Sequence, residues 1–210
     1  MERETKELKY LWIARESFAQ SNLSDTKEYY ELTYAENPEN PEAKYFHHFY
    51  DFMKKFKEGD IEWPFKFMVN SLQDAVEYAS NDEWTGREKS TAILAITTTF
   101  GCIPQYITFA YENWNVDFLD ICICGLYWLG SYIKTFCKEE QYYMEMAIEP
   151  WKKAVDLHLL YGCSHENYKI EEYVAEIQKY DPEYVMPEKP VENAREKKAR
   201  EEAEKKSARN

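Results

Sequence analysis

The segment Tyr34-Ala-Glu-Asn-Pro-Glu-Asn-Pro-Glu-Ala-Lys-Tyr-Phe46 constrains this chain more than any other, because it places two Asn-Pro steps between two amphipathic runs. The residue before a proline is pushed out of the α region, so the first run must stop near Glu36 or Asn37. Pro41 then stands where a proline is welcome, at the first turn of a new helix. Helix, sharp stop and helix at this spacing is the punctuation of helical hairpins. It points to an all-α fold of stacked antiparallel hairpins.

The rest of the chain extends that pattern. Leu8, Leu11, Trp12, Phe18 and Ala19 fall at helical spacing in a first helix over about 4–20, with Arg15 as the polar break in the stripe. Ser24 or Asp25 is the expected N-cap of a second helix, with Glu28 near the reach-back position. A third helix spans about 41–56, with Ala43, Phe46, Tyr50 and Met53 on one face, and Lys57 to Asp60 form a turn. From Pro64, the positions Phe65, Met68, Val69, Leu72, Ala75, Val76 and Ala79 follow the +3/+4 rule over four turns.

Ser80 to Gly86 reads as a loop, and the uncharged run Ser90–Tyr111 as a helix kinked or broken around Gly101 and Pro104. A hairpin of strands over 97–109 is the competing expectation there. Further helices are expected over about 117–137, over 139–162 with a bend at Pro150 and a stop at Gly162, and over 167–179 before Asp181-Pro182. The expected organisation is one helical domain over 1–186 and a charged tail over 187–210, a solvated helix or disordered, with i,i+4 charge pairs and no apolar face.

Charge and composition exclude several function classes. The net charge is −13, while Val191–Asn210 carries seven Lys/Arg against five Glu, so the remainder is near −15. So acidic a body repels phosphate backbones and anionic lipid, and neither a nucleic acid nor a membrane is expected as partner. Ser90–Tyr111 is long enough to span a bilayer, but Thr97-Thr98-Thr99, Gly101, Pro104 and Gln105 dilute it; the run Ile121–Ile133 is too short. Both read as buried helices. The charged start MERETKELKYLW has no signal-peptide core, and the odd count of five cysteines suits reduced thiols, so the expected location is the cytoplasm. Aromatic residues are 17% of the chain. They supply core packing, and apolar surface left over is what a second copy could cover in a homodimer.

Chemistry finds little raw material. His47 and His48 are adjacent, so on a helix they point about 100° apart and do not converge on one ion. His158, Cys163 and His165 cluster near a helix end, short of the fourth ligand a closed zinc site needs. Cys122 and Cys124 at i,i+2 face different directions on a helix and read as buried thiols. Asp117 and Asp120 share a face, where the helix dipole accounts for them. There is no phosphate loop, no dinucleotide fingerprint and no nucleophile elbow, so neither enzyme chemistry, a metal nor a cofactor is expected.

Laid on the tetratricopeptide pattern, Tyr10, Ile13 and Ala14 match the large, large, small positions of its first helix, Tyr30 the aromatic of its second, and Pro38 its closing proline. Thr26 and Thr33 stand where that pattern has small alanines, and Ser21 where it often has glycine. The stretch Glu176–Tyr184 closes a helix in the same idiom. The chain thus resembles bacterial tetratricopeptide-like proteins that open with one such repeat and continue as an irregular helical bundle. The zinc ribbon that some of those carry at the N-terminus has no counterpart, since no cysteine precedes Cys102.

The resemblance implies a non-catalytic module binding a protein or peptide. On the first helix of each hairpin, it would use Leu11, Arg15 and Phe18, then Tyr45, Phe49 and Phe52. For the apolar members, core packing is the competing role. For Arg15 it is pairing with a buried carboxylate. The alternative function is an internal pocket for a small apolar or aromatic ligand, walled by Trp128, Tyr132 and Trp151.

Overall fold

The computed structural model describes residues 5–59, 62–109, 116–138, 140–165 and 168–208, with the side chains of Phe109, Val116 and Asp117 excepted. Expectations resting on Glu4, Asp60, Tyr111, the Asp117 side chain, Glu139 and Asn167 lie outside the described residues. Among the described residues the chain is all-helical, with no strand. The helix across 97–109 settles the competing hairpin expectation, and consecutive helices pack as hairpins: α1 on α2, α2 on α3 and α3 on α4.

Helix α1 (Lys6–Ala19) is capped by Thr5, whose hydroxyl accepts from Leu8 N. It ends in a Schellman turn: Ser21, at φ +59°, donates to Phe18 O, and Asn22 N donates to Ser17 O. Asn22 then turns its side chain to accept from Asp25 N, capping α2 (Leu23–Glu36). The cap therefore falls ahead of the expected Ser24 or Asp25. One asparagine closes one helix and opens the next, so the turn is as short as it can be.

The Asn-Pro punctuation works as the backbone restriction requires. Helix α2 stops at Asn37, and Asn40 caps α3 (Pro41–Phe56) with Pro41 in its first turn. Helix α4 (Glu62–Ala79) buries all seven positions of its apolar stripe, Phe65 through Ala79. Thr85 and Glu88 then satisfy each other's backbone N–H groups ahead of α5 (Gly86–Phe109). Helix α5 is continuous through Gly101 and carries Pro104 inside it. Of the two expectations, kinked or broken, the broken helix is excluded.

Next come α6 (Val116–Phe136), α7 (Gln141–Tyr161, with Pro150 inside), α8 (Ile170–Gln178) and α9 (Ala194–Ser207). Gly162 adopts φ +78° directly after α7, the left-handed stop its position suggests. Among the described residues no helix is long and apolar enough to cross a membrane.

The chain divides into two compact units, one of residues 1–100 and 131–146, the other of 101–130 and 147–210. The first holds α1 to α4 and has an aromatic core. Tyr30 stacks on Phe46 at 3.8 Å between ring centres, Tyr45 meets Phe46 edge-on at 5.2 Å, and Phe52 packs on Phe65 at 5.3 Å. In the second, Tyr127 stacks on Tyr168 at 4.9 Å and contacts Tyr173 at 4.2 Å, while the Trp151 indole N–H donates to Tyr127 O. The tail begins there as α9, closed by a reciprocal Asn193–Glu196 capping box and fastened by Arg195 to Asp120 at 2.6 Å. It has no apolar face to pack; polar groups hold its first turn.

Candidate functional site

The six residues that the repeat pattern assigns to a binding face are mostly consumed by packing. Leu11, Tyr45 and Phe52 are buried, and Phe18 and Phe49 half-buried. Tyr45 turns its hydroxyl inward to within 3.2 Å of Thr99 Oγ1.

Arg15 is buried too, and it takes the carboxylate alternative. Its Nε and Nη2 donate to the two oxygens of Glu42 at 3.1 and 2.6 Å, a bidentate pair with Glu42 fully enclosed. Tyr30 donates its hydroxyl to Glu42 at 2.8 Å, and the Trp84 ring lies 3.7 Å from the guanidinium carbon. Burial works against the charge on Arg15, but the attraction of Glu42 outweighs it and raises the pKa. Burial and the same carboxylate hold the Tyr30 hydroxyl protonated. Three helices are pinned by this cluster, and its donors and acceptors are spent on one another.

What the first unit presents to solvent lies elsewhere. Adjacent positions on α3 diverge by about 100°, so His47 and His48 reach opposite neighbours. His47 stacks on Tyr34 of α2 at 4.0 Å and 8°, and His48 packs on Phe67 of α4 at 5.5 Å and 27°. The two imidazoles are 5.6 Å apart, and Phe67 continues to Trp63, one turn back on α4, at 6.2 Å. The result is a row of five rings, Tyr34–His47–His48–Phe67–Trp63, crossing three helices.

Its far end is open. Phe67 is 50% exposed and Trp63 62%, whereas Tyr34 and the imidazoles are half-buried. Glu31 meets His47 Nδ1 at 3.0 Å, and Lys66 lies 5.0 Å over Trp63 while paired with Glu62. Burial, then the neighbouring His47 and Lys44, lower the pKa of His48, so its ring is neutral at neutral pH. Stacked and tilted ring contacts like these hold their partners in place at about 0.5–1.5 kcal/mol each. The row is therefore an ordered surface rather than loose side chains.

The other sequence candidates do not assemble. Among the described residues no group of three or more His, Cys, Asp or Glu side chains could hold a metal ion. His158 turns to the Tyr127 hydroxyl at 3.3 Å, while His165 is exposed. Trp151 is packed against Gly130, Trp128 is 41% exposed and Tyr132 half-buried. A shallow hollow of about 470 Å³ is lined by Pro41, Asp74, Glu77, Tyr78 and Asn81, with the Tyr78 hydroxyl accepting from Asn40 and its pKa raised by burial.

Sequence reasoning missed the five-ring row because it weighed His47-His48 only as a metal pair and gave no reading of Trp63 or Phe67. The signal was there: two large rings one turn apart on the polar side of an otherwise clean amphipathic helix. No family model, curated protein or solved structure matches this chain, so the reading of the site rests on its geometry.

Proposed function

We propose that the chain is a non-catalytic helical interaction module, tetratricopeptide-like at its start, that binds a protein or peptide through the ring row on α2, α3 and α4. The supporting observation is the pair Trp63 and Phe67, half or more exposed at the end of an ordered aromatic array. Covering what remains exposed of two such rings is worth on the order of 5 kcal/mol. That is the scale of a hot spot, and tryptophan is among the residues most enriched in hot spots. The surrounding carboxylates and the net charge of −13 favour a partner segment carrying Lys or Arg over nucleic acid or anionic lipid. The chemistry suits a cytoplasmic setting, where five unpaired thiols persist.

The test is selection of binders from a random peptide library displayed on phage, panned against the full chain, followed by calorimetric titration of the enriched peptide. Trp63→Ser/Phe67→Ser is expected to weaken binding by about tenfold or more with an unchanged circular dichroism spectrum. Trp12→Ser, on a different helix and 53% exposed in the parent, is expected to keep the parental affinity. A panel with no enriched sequence, or a peptide indifferent to the double substitution, refutes the reading.

A further inference from the structure

The ring row reaches the surface at Trp63 and Phe67, and α4 presents the same side to solvent well beyond them. At the helical period, Trp63, Phe67, Asn70, Asp74 and Glu77 fall within about 80° of one another, and all five are exposed. The character of that side changes along its length. It begins aromatic and ends acidic, with no Lys or Arg between Lys66 and Arg87. The hollow of about 470 Å³ lies at the acidic end, where Asp74, Glu77, Tyr78 and Asn81 face Pro41 at the start of α3.

Three observations set this hollow apart from an ordinary solvated face. Its carboxylates are unanswered: among the described residues, neither the Asp74 nor the Glu77 side chain has an ion-pair or hydrogen-bond partner, whereas Glu62 at the other end of α4 is paired with Lys66. Glu77 also stands in the last turn of α4, which holds no basic residue, and there the helix dipole opposes a negative charge. A placement that works against the fold with no neighbour to compensate is the kind found at functional positions. Finally, the wall beside the carboxylates is fixed. Tyr78 meets Trp84 edge-on at 4.8 Å and accepts from Asn40 at 3.1 Å, and Asn40 is itself buried.

We propose that the outer side of α4 binds one extended segment of a partner protein in a fixed register, with a large apolar side chain on Trp63 and Phe67 and an arginine in the hollow. This register rests on the interaction role proposed above and adds a second anchor to it. Asp74 lies seven positions beyond Phe67 and Glu77 lies ten, a span of about 10–15 Å at the helical rise. An extended chain covers that distance in about three to five residues. Arginine fits the hollow better than lysine, because a planar guanidinium can give two N–H groups to a carboxylate while lying against an aromatic ring. The negative charge at one end and the rings at the other also give the segment a direction along the helix.

The probe is a series of fluorescein-labelled peptides with one tryptophan and one arginine set at increasing separations in a glycine-serine background, in both orders. Each is titrated against the full chain by fluorescence polarisation. Affinity is expected to peak at a separation of about three to five positions, and at that peak to fall about fivefold when citrulline replaces arginine. Asp74→Asn/Glu77→Gln is expected to erase that preference, keep the parental affinity for the citrulline peptide, and leave the thermal midpoint unchanged or raised. Glu171→Gln/Glu172→Gln on α8 removes the same charge from an exposed pair and is expected to keep the preference. Equal binding of the arginine and citrulline peptides, a preference that survives Asp74→Asn/Glu77→Gln, an affinity flat in separation, or a series that does not bind overturns the register. Where arginine and citrulline bind alike but Trp63→Ser/Phe67→Ser still weakens both, the ring row stands and the hollow alone is refuted; indifference to that substitution refutes both.

Discussion

Arg15 and Glu42 show how a residue that interrupts an apolar stripe is accommodated. Both charges are withdrawn from water, and the cost is met by a bidentate pair, the Tyr30 hydroxyl and the Trp84 face. Such a cluster is tolerated whole and punished in part, because removing one partner strands the other charge in the interior. Arg15→Met or Glu42→Leu alone is therefore expected to cost about 3–5 kcal/mol in urea unfolding. The double substitution also leaves the Tyr30 hydroxyl unpaired, a penalty of about 1–3 kcal/mol. Adding Tyr30→Phe removes that group, so the triple variant is expected to be more stable than either single one. Singles whose losses simply add in the double would show that the charges do not act as a unit.

At the scale of the element, Gly130 sets two opposing effects against each other. In the middle of α6, an alanine is preferred to glycine by about 1 kcal/mol on propensity. A Cβ at this position would nevertheless lie 2.5 Å from Trp151 Nε1 and 2.6 Å from Ala147 O. The carbonyl belongs to the α7 backbone and cannot step aside, and the indole is held by its bond to Tyr127 O. Overpacking of this kind typically costs 1–3 kcal/mol or somewhat more, so the steric term wins. Gly130→Ala is expected to lower the thermal midpoint and to redden the Trp151 fluorescence; an unchanged or raised midpoint would show that the two helices can spread.

The elements themselves were the legible part of this chain. Prolines, asparagines and Gly162 act through local backbone sterics, so the ends of α2 and α7, the start of α3 and the α4 face follow from a few neighbouring residues. At Pro104 the helix itself was legible but not its continuity: α5 runs from Gly86 to Phe109 with the proline inside, so the lost backbone hydrogen bond does not end it. The site was barely legible. Arg15 finds Glu42 across 27 positions, Phe67 meets His48 across 19, and Ser164 reaches Asp120 across 44, and no periodicity encodes such pairings. Of the face that the resemblance implies, Leu11, Tyr45 and Phe52 are buried in packing, and burial of that kind depends on partners distant in sequence.

For the whole molecule, the acidic surface and two half-buried histidines pull the pH dependence of stability in opposite directions. Burial lowers the pKa of His48, with His47 and Lys44 adding to the effect and Asp51 opposing it. Burial also lowers that of His158, which contacts the Tyr127 hydroxyl and feels Asp120 and Glu171 in one direction and Lys189 in the other. A ring that resists protonation when folded binds fewer protons than it does unfolded. Stability from this source is therefore intact above the unfolded histidine value of about 6.5, falls as the pH drops below it, and levels off beneath the depressed folded values. Carboxylates whose pKa values are lowered by partners, such as Glu88 beside the Thr85 N–H, add their losses only below about 4.5. Meanwhile, acidification toward the isoelectric point of 4.9 relieves the mutual repulsion of a chain carrying −13, which stabilises the compact state. Between about pH 7 and 5.5 the histidine loss and the relief of repulsion offset each other in the parent, whereas a His48→Asn/His158→Gln variant retains only the relief. Its thermal midpoint is expected to climb across that interval while the parent's stays level or declines, and two parallel curves would place the histidines outside the balance.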